Sequence, residues 1–198
     1  MSNLFHKLEI EAFRKGLTLR TKESRDWFRK KAGAMGKVDR NALMKEEPIK
    51  LRNRGSHGVG NMYMFFYDPK HKDTLPYYDS FPLVIVIGPA KGGFLGLNLH
   101  YLPLALRAKF LDELMTITNN NRYDETTKFQ LSYNMLQRAA KLKYFKPCVK
   151  HYLSKHLRSR LAMVEAPEWE IATFLPTADF QKKSKSEVWK DSRSIMNG

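Results

Sequence analysis

The sequence predicts an α+β protein: a small, strongly curved antiparallel β-sheet or SH3-like barrel at about residues 61–103, surrounded by N- and C-terminal helices. Strand-type runs occur at 62–67 (MYMFFY), 81–87 (FPLVIVI) and 94–101 (FLGLNLHY), each bounded by Pro, Gly or Asp. Both flanks instead carry apolar residues at helical spacing. Charge follows the same division. Of 198 residues, 35 are Lys or Arg and 20 are Asp or Glu, a formal net charge of +15. Residues 1–57 hold 15 basic and 7 acidic groups, residues 58–104 hold 3 and 3, and residues 105–198 hold 17 and 10. We therefore expect one domain over 1–198, with a basic helical N-terminal arm (1–57), a β core (58–104) and a basic helical C-terminal part (105–198).

In chain order, Ser2 can cap a first helix whose stripe is Phe5, Leu8, Ala12 and Phe13, stopped at Gly16. A second helix starts near 21–24, with Trp27 and Phe28 on one face and Arg25, Arg29, Lys30 and Lys31 on the other. Asp39 caps a short third helix over 40–46, ended by Pro48. The loop 49–60 combines Lys50, Arg52, Arg54 and His57 with three glycines. Glycine leaves backbone amides open to a phosphate backbone, although the same loop could be a plain linker. In the central region, FPLVIVIG reads as a strand covered on both faces, GPAKGG as a turn with Gly where φ must be positive, and Gly96 as the mark of a bulge.

Pro103 opens a helix with Leu106, Phe110, Leu111 and Leu114 as its stripe. Asp124 caps another over 125–141, with Phe129, Tyr133, Leu136 and Ala140 apolar. Residues 138–160 hold eight basic groups and no acid. Beyond Pro147 a helix is expected over 148–163, with Val149, Leu153, Leu157 and Leu161 docking and Lys150, His151, Ser154, Lys155 and Arg158 facing out. Tyr144, Phe145 and Tyr152 interleave with those charges, as in surfaces that combine stacking with phosphate contact. Trp169, Ile171, Phe174 and Leu175 should pack back on the sheet, and a last short helix presents Val188 and Trp189.

A field this positive favours a polyanion, nucleic acid first. The candidate nucleic-acid-binding residues are Lys50, Arg52, Arg54, Arg138, Lys141, Lys143, Lys146, Lys150, His151, Lys155, Arg158 and Arg160. Catalytic signals are weak. No Walker A, HExxH or dinucleotide fingerprint occurs, so we expect no catalytic residue, no metal and no cofactor. Cys148 and His151 lack a third orienting group, and His151 and His156 are five apart, a poor ligand spacing. Glu165, Glu168 and Glu170 could hold a nuclease metal but lack the rest of such a core. One cysteine excludes an intrachain disulfide, and no apolar run reaches the ~20 residues of a membrane span, so a soluble protein with no membrane partner is expected.

The run YDPKHKDTLPYYDSFPLVIVIG…GGFLGLNLHYLP, followed by RAKFLDEL, YDETTKFQLSY, FKPCVKHYLSKHLRSR and APEWEIATFLP, resembles proteins of T-even-like tailed phages, most specifically the DNA end protector family. The resemblance spans 62–176 and carries over no individual site residue. It implies a non-enzymatic protein that binds double-stranded DNA ends in the virion or the host cytoplasm and blocks exonuclease. A virion structural or assembly protein of neck or baseplate, meeting other phage head, neck or tail proteins, fits the same features. The first two strands are also similar to the SH3-like barrel of toxin ribonucleases, but the sequence does not place the Arg and Thr that such a nuclease needs.

Overall fold

The computed structural model describes residues 4–45, 50–55 and 57–197. The expected cap at Ser2 and stop at Pro48 lie outside them. Among the described residues the strands are β1 (Lys50–Arg52), β2 (Met62–Met64), β3 (Tyr78–Asp79), β4 (Leu83–Ala90), β5 (Gly93–Asn98), β6 (Val149–Leu153), β7 (Leu161–Val164) and β8 (Phe180–Gln181). Six form one antiparallel sheet in the order β1-β7-β2-β4-β5-β6, and β3 pairs with β8 in a separate ribbon. The fold is α+β, but the sheet is open. A barrel would require β1 to pair with β6, and these are its two edges. The SH3-like barrel is therefore corrected to an open six-stranded sheet.

Three of those six strands lie outside 61–103. The expected helix over 148–163 is instead β6, a 3₁₀ turn and β7. Free ladders on β5 and β2 decide this: Tyr152 pairs with Phe94, and Met163 with Tyr63. Strand preference depends on the surface offered to it more than on intrinsic propensity. The leucine spacing that suggested a helix has another use, since Leu157 and Leu161 seal one face of the sheet.

Alternation divides the sheet into two apolar faces. Met62, Met64, Leu83, Ile85 and Leu97 join the helices in the main core. Tyr63, Phe65, Val84, Val86, Phe94 and Tyr152 form a second cluster on the helix-free face. The register break is real but sits across from Gly96, where Ile87 is the extra residue between Val86 and Gly88. The β4–β5 hairpin turns at Lys91-Gly92, with Gly92 at φ 74° as the turn requires. Gly93 permits β6 to approach, because a Cβ there would run into the Tyr152 carbonyl.

The helices are α1 (Leu4–Arg14), α2 (Lys22–Gly33), α3 (Arg40–Leu43), α4 (Leu104–Thr118), α5 (Glu125–Lys141), α6 (Trp169–Phe174) and α7 (Lys185–Asn197). Thr21 and Ser24 form a capping box for α2, Asp39 caps α3 and Asp124 caps α5. α1 buries Phe5, Leu8 and Ala12, but Phe13 is 80% exposed, off the stripe expected for it. Arg25 is not on a solvent face: it is buried, ion-paired to Asp112 and donating to Met115 Sδ at 3.0 Å. Phe129 is likewise 57% exposed, and α5 buries only Leu136 and Ala139. Every residue of α6 is buried. No described helix is long and apolar enough to cross a membrane.

Glu170 and Glu168 stand at the start of α6, both buried. Glu170 accepts from the Arg20 amide and the Ser24 hydroxyl, each at 2.9 Å. Burial and the neighbouring Glu9 push the Glu168 carboxyl up to about 7. The folded state thus keeps a proton that the unfolded chain loses near 4.5, and this contribution to stability falls as pH rises from about 4.5 to about 7. Glu168→Gln is expected to raise Tm at pH 8 and leave it unchanged at pH 4.5, measured by thermal melts at both pH values; an equal shift at both would remove Glu168 as the titrating group.

Candidate nucleic-acid interface

Residues 154–160 form a strap that leaves the β6 edge, crosses to the continuation of β2, where it runs antiparallel beside residues 66–68, and enters β7, which pairs with β1. Leu157 anchors the crossing in the second cluster. The backbone is tied on the way: Tyr67 bridges Leu157, the Arg158 amide donates to the Phe66 carbonyl at 2.8 Å, and the Asp68 amide to the His156 carbonyl at 3.1 Å. This strap carries Lys155, Arg158 and Arg160 outward, all exposed, and no acid. Arg160 donates to the Leu51 carbonyl at 3.0 Å, which places it beside Arg52 and Arg54, also exposed. β1 holds the Lys50 backbone opposite Met163.

At the other end lie Lys150 and His151 on β6. His151 is exposed and its Nε2 lies 3.1 Å from the Lys91 carbonyl. Arg138 and Lys141 on α5, with Lys143 and Lys146 on the 3₁₀ segment that leads into β6, form a separate exposed group. The structure thus sets Lys155, Arg158 and Arg160 along the strap, Arg52 and Arg54 beside its β7 end and Lys150 near its β6 end, while His151 alternates with Lys150 on β6 and takes the other face, and the α5 group leads into β6. Arg158 is not free: its guanidinium meets Asp68 at 2.7 Å, and Lys72 meets the same carboxylate at 3.1 Å. Arg158 first and Lys72 second hold the Asp68 carboxyl below its ordinary value. On the helical side Arg25 pairs with Asp112, Arg29 with Asp26 at 2.9 Å and Lys31 with Glu11 at 2.5 Å, while Lys7, Arg14, Lys15, Lys22 and Lys30 are exposed.

Beside the β6 end opens a cleft of about 490 Å³ walled by Tyr67, Tyr77, Tyr78, Tyr101, Tyr152 and Lys150. Lys70, His71 and His151 stand at its mouth. The Lys150 ammonium sits 4.1 Å from the Tyr101 ring centroid, a cation–π contact. Lys182, at φ 71°, clasps the cleft's outer loop by donating to the carbonyls of Lys72, Asp73 and Leu75 at 2.6, 3.0 and 2.8 Å.

The floor of the cleft is a buried polar network that the sequence does not announce. Asp79 Oδ2 lies 2.7 Å from His100 Nδ1 and accepts from Asn98 Nδ2 at 3.0 Å. Asp79 Oδ1 accepts the amides of Phe81 and Asp179, each at 3.1 Å. Asn98 Nδ2 also reaches the Tyr152 hydroxyl at 3.0 Å, and His100 Nε2 lies 3.2 Å from Thr177 Oγ1. Burial pulls the His100 imidazole below its ordinary value despite Asp79. Burial would raise Asp79, but His100, Asn98 and the Asp179 amide together hold it below the usual carboxylate range. The neutral tautomer that satisfies both contacts donates from Nδ1 and accepts at Nε2. Below it Arg107, also buried, donates to the carbonyls of His100, Leu102 and Thr173 at 3.1, 2.8 and 3.1 Å. Trp189 donates to the same His100 carbonyl at 2.8 Å, so it docks α7 rather than facing a partner.

A His–Asp–Thr arrangement has the look of acid–base machinery. Here His100 and Thr177 are 0% exposed and both imidazole nitrogens are engaged, so the group braces the fold. Cys148 is buried and its thiol is pushed up to about 12 by that burial, far from a nucleophile. Among the described residues, no group of three or more His, Cys, Asp or Glu is arranged to hold a metal ion.

The family model described as Phage T4 terminal DNA protecting protein matches residues 6–192. The chain belongs to this family. No curated protein and no solved structure matches it. The match covers the sheet, the strap and the cleft, and reaches into all seven helices.

Asp79→Asn presents an amide donor to groups that are already donors. It is expected to cost about 3–5 kcal/mol, the range for breaking a buried charged pair by removing one partner. Urea denaturation at pH 7 measures this, and a loss under ~1 kcal/mol would show that the network does not hold the fold.

Proposed function

We propose that this chain binds the ends of linear phage DNA and shields them by occlusion, with no chemistry of its own. The family to which it belongs supports the DNA-end role. The observation that carries the mechanism is the acid-free strap, which presents Lys155, Arg158 and Arg160 at the surface and, through the Arg160 bond to the Leu51 carbonyl, joins them to Arg52 and Arg54. Duplex DNA presents a charge per ~1.7 Å of axis, so a row of exposed cations faces several phosphates at once. Arg138, Lys141, Lys143 and Lys146 extend the row past β6. Occlusion places the protein with the DNA in the virion or in the host cytoplasm after entry.

The test is fluorescence anisotropy with an open-ended linear duplex and the same duplex closed by hairpin caps. The open form is expected to bind at least tenfold tighter at low salt. The triple variant R52E/K155E/R160E should weaken binding by more than tenfold and reduce the slope of log K against log salt by about 0.9 for each phosphate that is no longer neutralised. Equal affinity for open and capped duplexes, or no affinity at low salt, would overturn the proposal.

A further inference from the structure

We propose that the tyrosine-walled cleft beside β6 takes the terminal nucleotide of the DNA end, its base against the tyrosines and its 5′-phosphate on Lys150. This rests on the end-binding role and names the part of the DNA that is recognised.

Lys150 is the starting point. Its side chain is only partly exposed, it lies over the Tyr101 ring, and among the described residues it has no carboxylate partner. An ammonium withdrawn from water without a counter-anion is costly, and burial accordingly lowers the Lys150 pKa. Among the described residues, the only carboxylate lining the cleft is Asp79, and four donors already occupy it. Lys70, His71 and His151 at the mouth add cationic or hydrogen-bonding groups and no acid. The site therefore has an anion requirement that the protein does not meet.

The walls specify the rest of the ligand. Tyr77 and Tyr101 lie with ring centroids 6.1 Å apart and planes inclined by 32°, and Tyr67 and Tyr152 meet edge to face at 5.0 Å. Tyr67, Tyr101 and Tyr152 are buried, so the partly exposed Tyr77 and Tyr78 are the wall residues that offer a platform to an unstacked base. A cleft of about 490 Å³ lies within the size range of small-ligand sites, enough for one nucleotide and not for a helix. A base inside a duplex must be unpaired and unstacked on both sides to enter such a site, whereas a terminal base has one stacking neighbour to lose. A phosphate monoester, nearly doubly charged at neutral pH, also exists only at an end. The cleft opens beside the β6 end of the basic strap, so a duplex lying on the strap can place its terminus there.

The experiment uses the full chain and duplexes carrying 2-aminopurine, whose fluorescence rises when it leaves the stack, either at the terminal position or well inside. Binding is expected to raise the terminal signal several-fold and leave the internal signal unchanged. A 5′-phosphorylated end should bind about tenfold tighter than a 5′-hydroxyl end. Lys150→Met, which keeps the stem and removes the charge, should abolish that preference, and a preference that survives the substitution would overturn the assignment of the phosphate to Lys150. A thermal melt confirms that the variant is folded. If it is not, Tyr77→Leu on the partly exposed wall takes its place, with loss of the terminal signal expected. If open ends bind but the terminal probe is silent and the phosphate preference absent, the cleft proposal falls while end binding stands. If deoxyadenosine monophosphate binds in a Lys150-dependent way but the terminal probe is silent, the ligand is a free nucleotide and the assignment is overturned. If no duplex binds, both proposals fall together.

Discussion

A buried carboxylate and a buried imidazole sit side by side, and the rest of the architecture is arranged to tolerate that. Asp79 can remain ionised only because four N–H groups converge on it, from His100, Asn98, Phe81 and Asp179. Those donors come from β5 and the turn after it, from the continuation of β3, and from the segment before β8. Each element is short or irregular and would have little reason to hold its place alone. The charge they share fixes their relative positions, because withdrawing any donor leaves a buried anion under-satisfied. Arg107 works one layer below, tying the carbonyls of His100 and Leu102 to that of Thr173 in α6. The cleft is the outward surface of this network, and its shape is as firm as the network.

Local order was legible where the signal is local. Thr21, Asp39 and Asp124 stand before helices because their side-chain oxygens meet amides two or three residues on, and that geometry depends on nothing distant. The β4–β5 hairpin is equally self-contained, since Gly92 supplies the positive φ that its two-residue turn demands. Sheet membership is different. Residues 149–153 are strand because β5 has a free edge, and residues 161–164 because β2 and β1 do. Nothing within those segments outweighs their helical leucine spacing. The open sheet rather than a barrel has the same origin: strands recruited from both ends of the chain occupy the edges that closure would have joined.

The candidate site was legible as charge and illegible as shape. An acid-free run over 138–160 is visible in one dimension, but its division into an α5 group, a cleft lysine and a strap appears only with β6 and β7 in place. Arg25 and Arg158 show the limit of counting, since one is consumed by Asp112 and the other by Asp68. The tyrosines are in plain view at 77–78 and 101, yet nothing local marks them as the walls of a cleft. Residues 77–79 and 98–101 are brought together by hydrogen bonds that span about 20 positions, beyond any local periodicity.

The two halves of the proposed interface carry different information. A row of exposed lysines and arginines attracts any duplex, end or interior, because phosphates are alike along the axis. Preference for a terminus must come from something that only a terminus possesses. On the strap side nothing offers that: Lys155, Arg160, Arg52 and Arg54 are exposed on long, adaptable side chains. The cleft can, because it is walled by rings and holds Lys150, which among the described residues has no carboxylate partner. Occlusion then needs no active site. A strap that holds the duplex, joined to a cleft that accepts its final nucleotide, covers the atoms an exonuclease must reach first. The rigidity that makes such a cleft selective comes from the buried Asp79–His100 pair, so a bond with no access to solvent governs what the surface can recognise.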